Sequence, residues 1–325
     1  MNNNIKQEMD LIEIPSDLHE RSKLGVQKAK LEMPKKKRYW SKSIAVVASL
    51  LMVVGSYGVY KNVIHNDQNQ AAPNNNASNE TKGNGLKIPP IELPEVKEGT
   101  SMDMIGLIVY NGKVYTQTAT EMDTKSAESM LGEMLGKTKG TIDEWSTQDK
   151  YAIEFASTIG EEDVYSVKGY DKDFRIMTFS VYEGEIHSEY YESLNGMTVY
   201  SGEDVFGKLK ISGNVVSAQY QTYSDWDKSV ERFYPMEDKH LLNNFVAELN
   251  HTIPYSYESV EKMLGDFRND EEYRHMIIQL NDGSKITLVI LKDGYVRYGN
   301  TDVYFKMDSG VFEEVWRALT TDEMN

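Results

Sequence analysis

Between Met102 and about Leu319 the chain is built from short apolar runs separated by turn residues. Met104 to Tyr110 and Lys113 to Thr118 flank Asn111-Gly112. Asn-Gly between β-rich runs predicts a hairpin, because a type I′ turn needs positive φ at both central residues. Ser126 to Leu135 reads as a short helix, and Ala152 to Ser157 and Val164 to Tyr170 as strands. Further on, Met276, Ile278 and Leu280 alternate with polar neighbours as far as Asp282-Gly283, and Ile286, Leu288 and Ile290 run on to Asp293-Gly294. Tyr295 to Tyr298 and Val303 to Met307 continue a meander with one face turned inward. Ser309 is placed to cap a closing helix in which Val311, Phe312, Val315, Trp316 and Leu319 recur at helical spacing. The pattern predicts an α+β domain of antiparallel sheets with packed helices.

Two stretches of this domain resemble each other. FRIMTFSVYEG at Phe174 to Gly184 matches YRHMIIQLNDG at Tyr273 to Gly283, with Arg175/Arg274, Met177/Met276 and Gly184/Gly283 identical. Val205, Phe206 and Leu209 follow the first copy as Val311, Phe312 and Val315 follow the second. Either the chain carries two related lobes, 102–212 and 213–325, with an insertion in the first, or a common hairpin pattern recurs by coincidence.

The patterning upstream is different. Ser43 to Tyr60 holds no charged residue. As a helix it would be about 27 Å long, close to the roughly 30 Å of a bilayer core. Tyr39, Trp40, Tyr57 and Tyr60 flank the run as interfacial aromatics. The expectation is a single transmembrane helix over 43–60, joined by a flexible, Asn-rich stalk over 61–101 to the folded region. Lys35, Lys36, Lys37, Arg38 and Lys42 precede the run, whereas Lys61 is the only cation in the 15 residues after it. The positive-inside rule therefore predicts a cell-membrane, single-pass protein with a cytoplasmic N-terminus and an extracellular C-terminal domain.

Charge sharpens this division. The chain has a net charge of -16, but residues 1–42 hold ten Lys and Arg against six Asp and Glu. The acidic remainder excludes an extended nucleic-acid surface, which needs clustered cations. With no Cys, disulfides, thiol nucleophiles and Cys-based zinc sites are excluded. No Gly-x-Ser-x-Gly, Walker loop, dinucleotide fingerprint or His-Glu-x-x-His is present. No catalytic residue, cofactor or metal site is assigned. His187 and Glu189 beside Tyr190 and Tyr191, and the acidic loop from Asp266 to Glu272, read as solvated surface rather than as metal ligands. Tyr220, Tyr223 and Trp226 with Asp225 and Asp227 form the one aromatic and acidic group suited to a ligand surface. The alternative is that these rings line the core between the lobes.

The segment before the apolar run offers a second site. Ile12, Ile14 and Pro15 form an extended lead, Ser16 or Asp17 can cap a helix, and Leu18, Gly25, Val26 and Ala29 give it a weak apolar stripe before Pro34. Such a helix is marginal alone and suits folding against a partner. Ile14-Pro15, Leu18, Gly25-Val26, Ala29 and the basic run at Lys35 to Arg38 resemble the N-terminal segment of zinc-free, single-pass anti-sigma factors of Bacillus-type Firmicutes. The resemblance covers about 50 residues. It implies that residues 1–42 sequester a sigma factor while the outer domain senses an unidentified extracellular ligand or meets a protease. The competing expectation is a non-catalytic binding or structural protein of the cell envelope. A hydrolase would instead show two carboxylates converging in a cleft.

Overall fold

The computed structural model describes residues 85–92, 104–143 and 146–321, all within one compact unit. Two antiparallel sheets carry most of it. The first has the order β2 (Leu107–Tyr110), β3 (Lys113–Gln117), β8 (Glu185–Glu192), β7 (Arg175–Tyr182), β6 (Asp163–Val167) and β5 (Leu131–Lys137). The second runs β11 (Tyr234–Pro235), β10 (Val215–Thr222), β13 (Tyr273–Leu280), β14 (Ser284–Leu291), β15 (Tyr295–Tyr298), β16 (Val303–Lys306) and β12 (Ile253–Ser256). A two-stranded ribbon pairs β1 (Leu86–Lys87) with β9 (Thr198–Val199).

The predicted hairpin at Asn111-Gly112 is present, with φ of 51° and 67° at its two turn residues. The four-strand meander over β13 to β16 is present too. The expected helix over Ser126 to Leu135 is only half realised. Helix α1 (Thr124–Met130) is capped by the Asp123 side chain, and the chain then turns into β5 at Leu131. Tertiary pairing with β6 overrides local helix propensity there. Gly132 permits it, because a Cβ at that position would overlap Ser166 on the neighbouring strand.

The first sheet is drawn towards closure. Val109 N–H donates to Ala156 O at 2.8 Å, and Lys139 N–H, just beyond β5, donates to Phe155 O at 3.0 Å. The strap over 155–158 thus ties the β2 edge to the continuation of the β5 edge. Ile108, Tyr115, Val164, Ile176 and Tyr191 fill the space inside.

The second sheet is covered on both faces. One face buries Met276, Ile278, Leu288, Ile290, Val296 and Phe305 beneath α3 (Lys239–Glu248) and α5 (Ser309–Thr321). Helix α5 presents Phe312, Val315 and Leu319 to this core, all at most 4 % exposed. Each such side chain contributes roughly 1.5–3 kcal/mol through burial. The other face carries Tyr273, Val289, Leu291, Tyr295 and Tyr304 beneath α4 (Tyr257–Leu264) and the short helix α2 (Tyr223–Asp227).

The two sheets share structure across residue 212. Strand β4 (Thr120–Met122) leaves the first half and pairs with β14 of the second sheet. Phe174, Val205, Phe206 and Leu209 lie in the same core as Phe312 and Val315. The paired arginines of the two similar stretches are both buried, in different settings. Arg175 Nη2 lies 2.6 Å from Glu192 Oε1, and Tyr298 donates its hydroxyl to Glu192 Oε2 at 2.6 Å. Tyr298 and Thr120 hydroxyls are 2.6 Å apart, and Tyr170 and Tyr190 rings stack on the guanidinium at 4.2 and 4.6 Å. Arg274 instead donates to the backbone carbonyls of Leu319, Asp270 and Tyr273 and lies over Trp316.

These findings correct the expected architecture. The described region is predominantly antiparallel β with few helices, rather than an α+β domain behind a transmembrane helix. No helix among the described residues is long and apolar enough to cross a membrane. The longest, α5, has 13 residues, about 20 Å, and buries one stripe rather than its whole surface. The 43–60 run and Lys35, Lys36, Lys37, Arg38 and Lys42 lie outside the described residues. The single-pass topology, the cell-membrane localisation and the extracellular orientation therefore do not stand.

Candidate functional site

The aromatic group at 220–227 is split by strand alternation. Tyr220, on β10, faces the main core, is fully buried and stacks on Tyr234 at 5.3 Å between centroids. At Thr222 the chain turns into α2, with the Thr222 hydroxyl accepting from Asp225 N–H at 3.2 Å. This cap swings Tyr223 and Trp226 onto the opposite face of the sheet. There Trp226 stacks on Tyr273 at 5.8 Å and tilts over His275 at 5.2 Å, while Tyr223 meets Tyr273 edge-on at 5.3 Å. Tyr223 and Trp226 are half-buried and Asp227 is exposed.

Register builds the rest of this face. Gln221 lies opposite His275, His275 opposite Val289, and Val289 opposite Arg297. These residues form one row across β10, β13, β14 and β15, because side chains opposite one another share a face. At the far end of the row the Arg297 guanidinium lies beside two mutually stacked rings, 5.2 Å from Tyr257 and 5.4 Å from Tyr304.

Three buried polar atoms on this face have no hydrogen-bond partner among the described residues: Asp225 Oδ2, His275 Nδ1 and Arg297 Nε. Asp225 is 6 % exposed, and its other oxygen lies 3.5 Å from the exposed Arg232 guanidinium. Burial pushes His275 down to about 3, with the Arg297 charge adding to the effect, so this imidazole is neutral at pH 7. Burial also raises the Tyr273 and Tyr223 hydroxyls, which remain protonated. The face therefore offers half-exposed rings, a buried carboxylate oxygen with spare acceptor capacity and a neutral imidazole at the α2 end, with the Arg297 guanidinium two strands away from His275. That combination suits a ligand with a flat or apolar part and a cationic group.

His275, Tyr273, Arg297, Tyr257 and Tyr304 were not anticipated from the sequence. Part of the signal was present in the meander: if Met276, Ile278 and Leu280 point inward, then Tyr273 and His275 share the other face of that strand, whereas Arg297 joins them only through strand pairing. Ile14, Pro15, Leu18, Gly25, Val26 and Ala29 lie outside the described residues.

Elsewhere the geometry is sparser. His187 and Glu189 alternate along β8, and no group of three or more His, Asp or Glu among the described residues is arranged to hold a metal ion. Glu121 and Glu189 are both raised by burial, and the Glu121 charge raises Glu189 further. A cavity of about 130 Å³ is lined by Met263, Leu264, Phe267, Leu291, Glu272 and Lys292 among others. It is well below the roughly 300 Å³ of a small-molecule pocket. No protein-family model, curated protein or solved structure matches the chain.

Proposed function

We propose that the chain is a non-catalytic regulatory binding protein. In this reading the second sheet receives a cationic ligand on the face built by Tyr223, Asp225, Trp226 and His275. The N-terminal segment around Ile14, Pro15, Leu18, Gly25, Val26 and Ala29 holds a sigma factor. The observation that supports the ligand half is the buried Asp225 Oδ2, which has no hydrogen-bond partner among the described residues and sits on the same short helix as two half-exposed rings. An isolated buried acceptor costs roughly 1–3 kcal/mol, which a cationic ligand would recover. The regulatory half is supported by the resemblance of residues 12–38 to anti-sigma segments.

Each half has its own test. Titrating the full chain with benzyltrimethylammonium should change its tryptophan fluorescence saturably, and Trp226→Phe should remove that change. An unsaturable response, or one that persists in Trp226→Phe, would reject the ligand face. Tagged full-length chain should retain a sigma factor from purified candidates, with Leu18→Glu and Val26→Glu abolishing retention. Retention of none would leave the competing reading, a binding or structural protein with no effector segment.

A further inference from the structure

The hairpin β7–β8 extends past both of its neighbours. Strand β6 pairs with β7 only between Ile176 and Thr178, and β3 meets β8 only at Gln117↔Tyr191 and Thr116↔Glu192. From Phe179 to Ser188 the strand pairing among the described residues is that of the hairpin itself. Its turn is two residues, Glu183 and Gly184, with φ of 52° and 84°. A two-residue turn of this kind makes Tyr182 and Glu185 a hydrogen-bonded pair. Counting from that pair, Ile186 and Ser188 direct their N–H and C=O groups away from β7, to the side on which no strand among the described residues pairs with β8 before Tyr191.

The side chains along this edge are sorted by face. Glu185, His187 and Glu189 lie on one side and Ile186 and Ser188 on the other, with Val181 directly opposite Ile186. Val181 and Tyr182 are 60 % and 67 % exposed. An open edge beside exposed apolar residues is a template for pairing with another chain, and edge carboxylates select against a like-charged one. A second copy of this acidic edge is thereby disfavoured.

We infer that the β8 edge from Glu185 to Glu189 docks an extended, basic segment of a partner protein by strand addition. The added strand hydrogen-bonds Ile186 and Ser188, places cations beside Glu185 and Glu189, and lays apolar side chains near Val181 and Ile186. This surface is separate from the aromatic face of the second sheet.

Amide hydrogen exchange of the full chain tests it, using a synthetic peptide that alternates Lys and Val and a matched peptide that alternates Glu and Val. The Lys-Val peptide should slow exchange at Ile186 and Ser188, and the Glu-Val peptide should not. Glu185→Lys with Glu189→Lys should weaken the Lys-Val peptide about tenfold and reverse the preference. Ser188→Pro, which removes only an outward donor, should abolish protection at Ile186. Equal protection by both peptides, or by neither, overturns the inference. Protection that rises with protein concentration in the absence of peptide also overturns it, by making a second copy the occupant.

Discussion

Replacing Glu192 by Gln removes one charge from a site where both partners are fully buried. Arg175 and Glu192 each have 0 % side-chain exposure. Arg175 donates from Nε at 2.9 Å and Nη2 at 2.6 Å to the same carboxylate oxygen. A buried ion pair broken on one side leaves an uncompensated charge, which costs about 3–5 kcal/mol. Arg175→Met should cost a similar amount, because Glu192 is then left with Tyr298 alone. The double variant Arg175→Met, Glu192→Leu should lie within about 2 kcal/mol of the parent, since apolar replacement of a whole buried pair is often close to neutral. Tyr298→Phe removes one hydrogen bond to a charged acceptor and should cost about 1.5–3 kcal/mol. Urea unfolding followed by circular dichroism and by tryptophan fluorescence gives all four values. If the double variant loses the sum of its singles, about 6–10 kcal/mol, the coupling argument is wrong.

Three further outcomes are expected. His275 has a folded value near 3 against an unfolded value of about 6.5. The unfolded chain therefore binds the extra proton, and stability falls by about 1.4 kcal/mol per pH unit as pH drops below about 6.5 towards 3. Urea midpoints at pH 7 and pH 5 should show this loss in the parent and much less of it in His275→Phe; an equal loss in both assigns the acid sensitivity elsewhere. Gly202→Ala should destabilise by about 1–3 kcal/mol or more, because the new Cβ would overlap the Leu249 carbonyl and the Thr252 hydroxyl, whereas Gly160→Ala, with open space around it, should not. Asp238→Ala removes the cap that accepts from Leu241 N–H at 2.9 Å and should lower stability by about 1 kcal/mol, measured by the same unfolding assay.

Much of the second sheet was legible because its strands follow one another in sequence. Turn residues at Asp282-Gly283 and Asp293-Gly294 mark where the chain reverses, and alternation at Met276, Ile278 and Leu280 marks the buried face. The first sheet was harder to read. Its strand β5 has the composition of a helix end, Leu131 to Leu135, and pairing with β6, with Gly132 fitted against Ser166, explains its extended form. The ligand face was half legible: Trp226 and Tyr223 stood out as aromatics beside carboxylates, but Tyr220 falls on the opposite side of β10. His275 and Arg297 join the face through pairing across three strands, which no local window reports. The expectation that rings line a core also holds for Tyr220, while Tyr223 and Trp226 remain partly open.

Strand β4 has a consequence for how the chain is made. Thr120 and Tyr298, whose hydroxyls meet beside the buried Arg175, are 178 positions apart. At synthesis rates of about 5–20 residues per second, Thr120 emerges roughly ten to thirty-five seconds before Tyr298. Glu192 follows within that interval, roughly five to twenty seconds before Tyr298; Arg175 and Glu192 can then pair, but the tyrosine hydroxyl and the second sheet that cover them do not yet exist. The first half then waits with a charged pair facing water and β4 lacking its strand partner. Folding of the first half is thereby made conditional on translation of the second, and release of a truncated chain leaves an unpaired strand rather than a smaller finished domain.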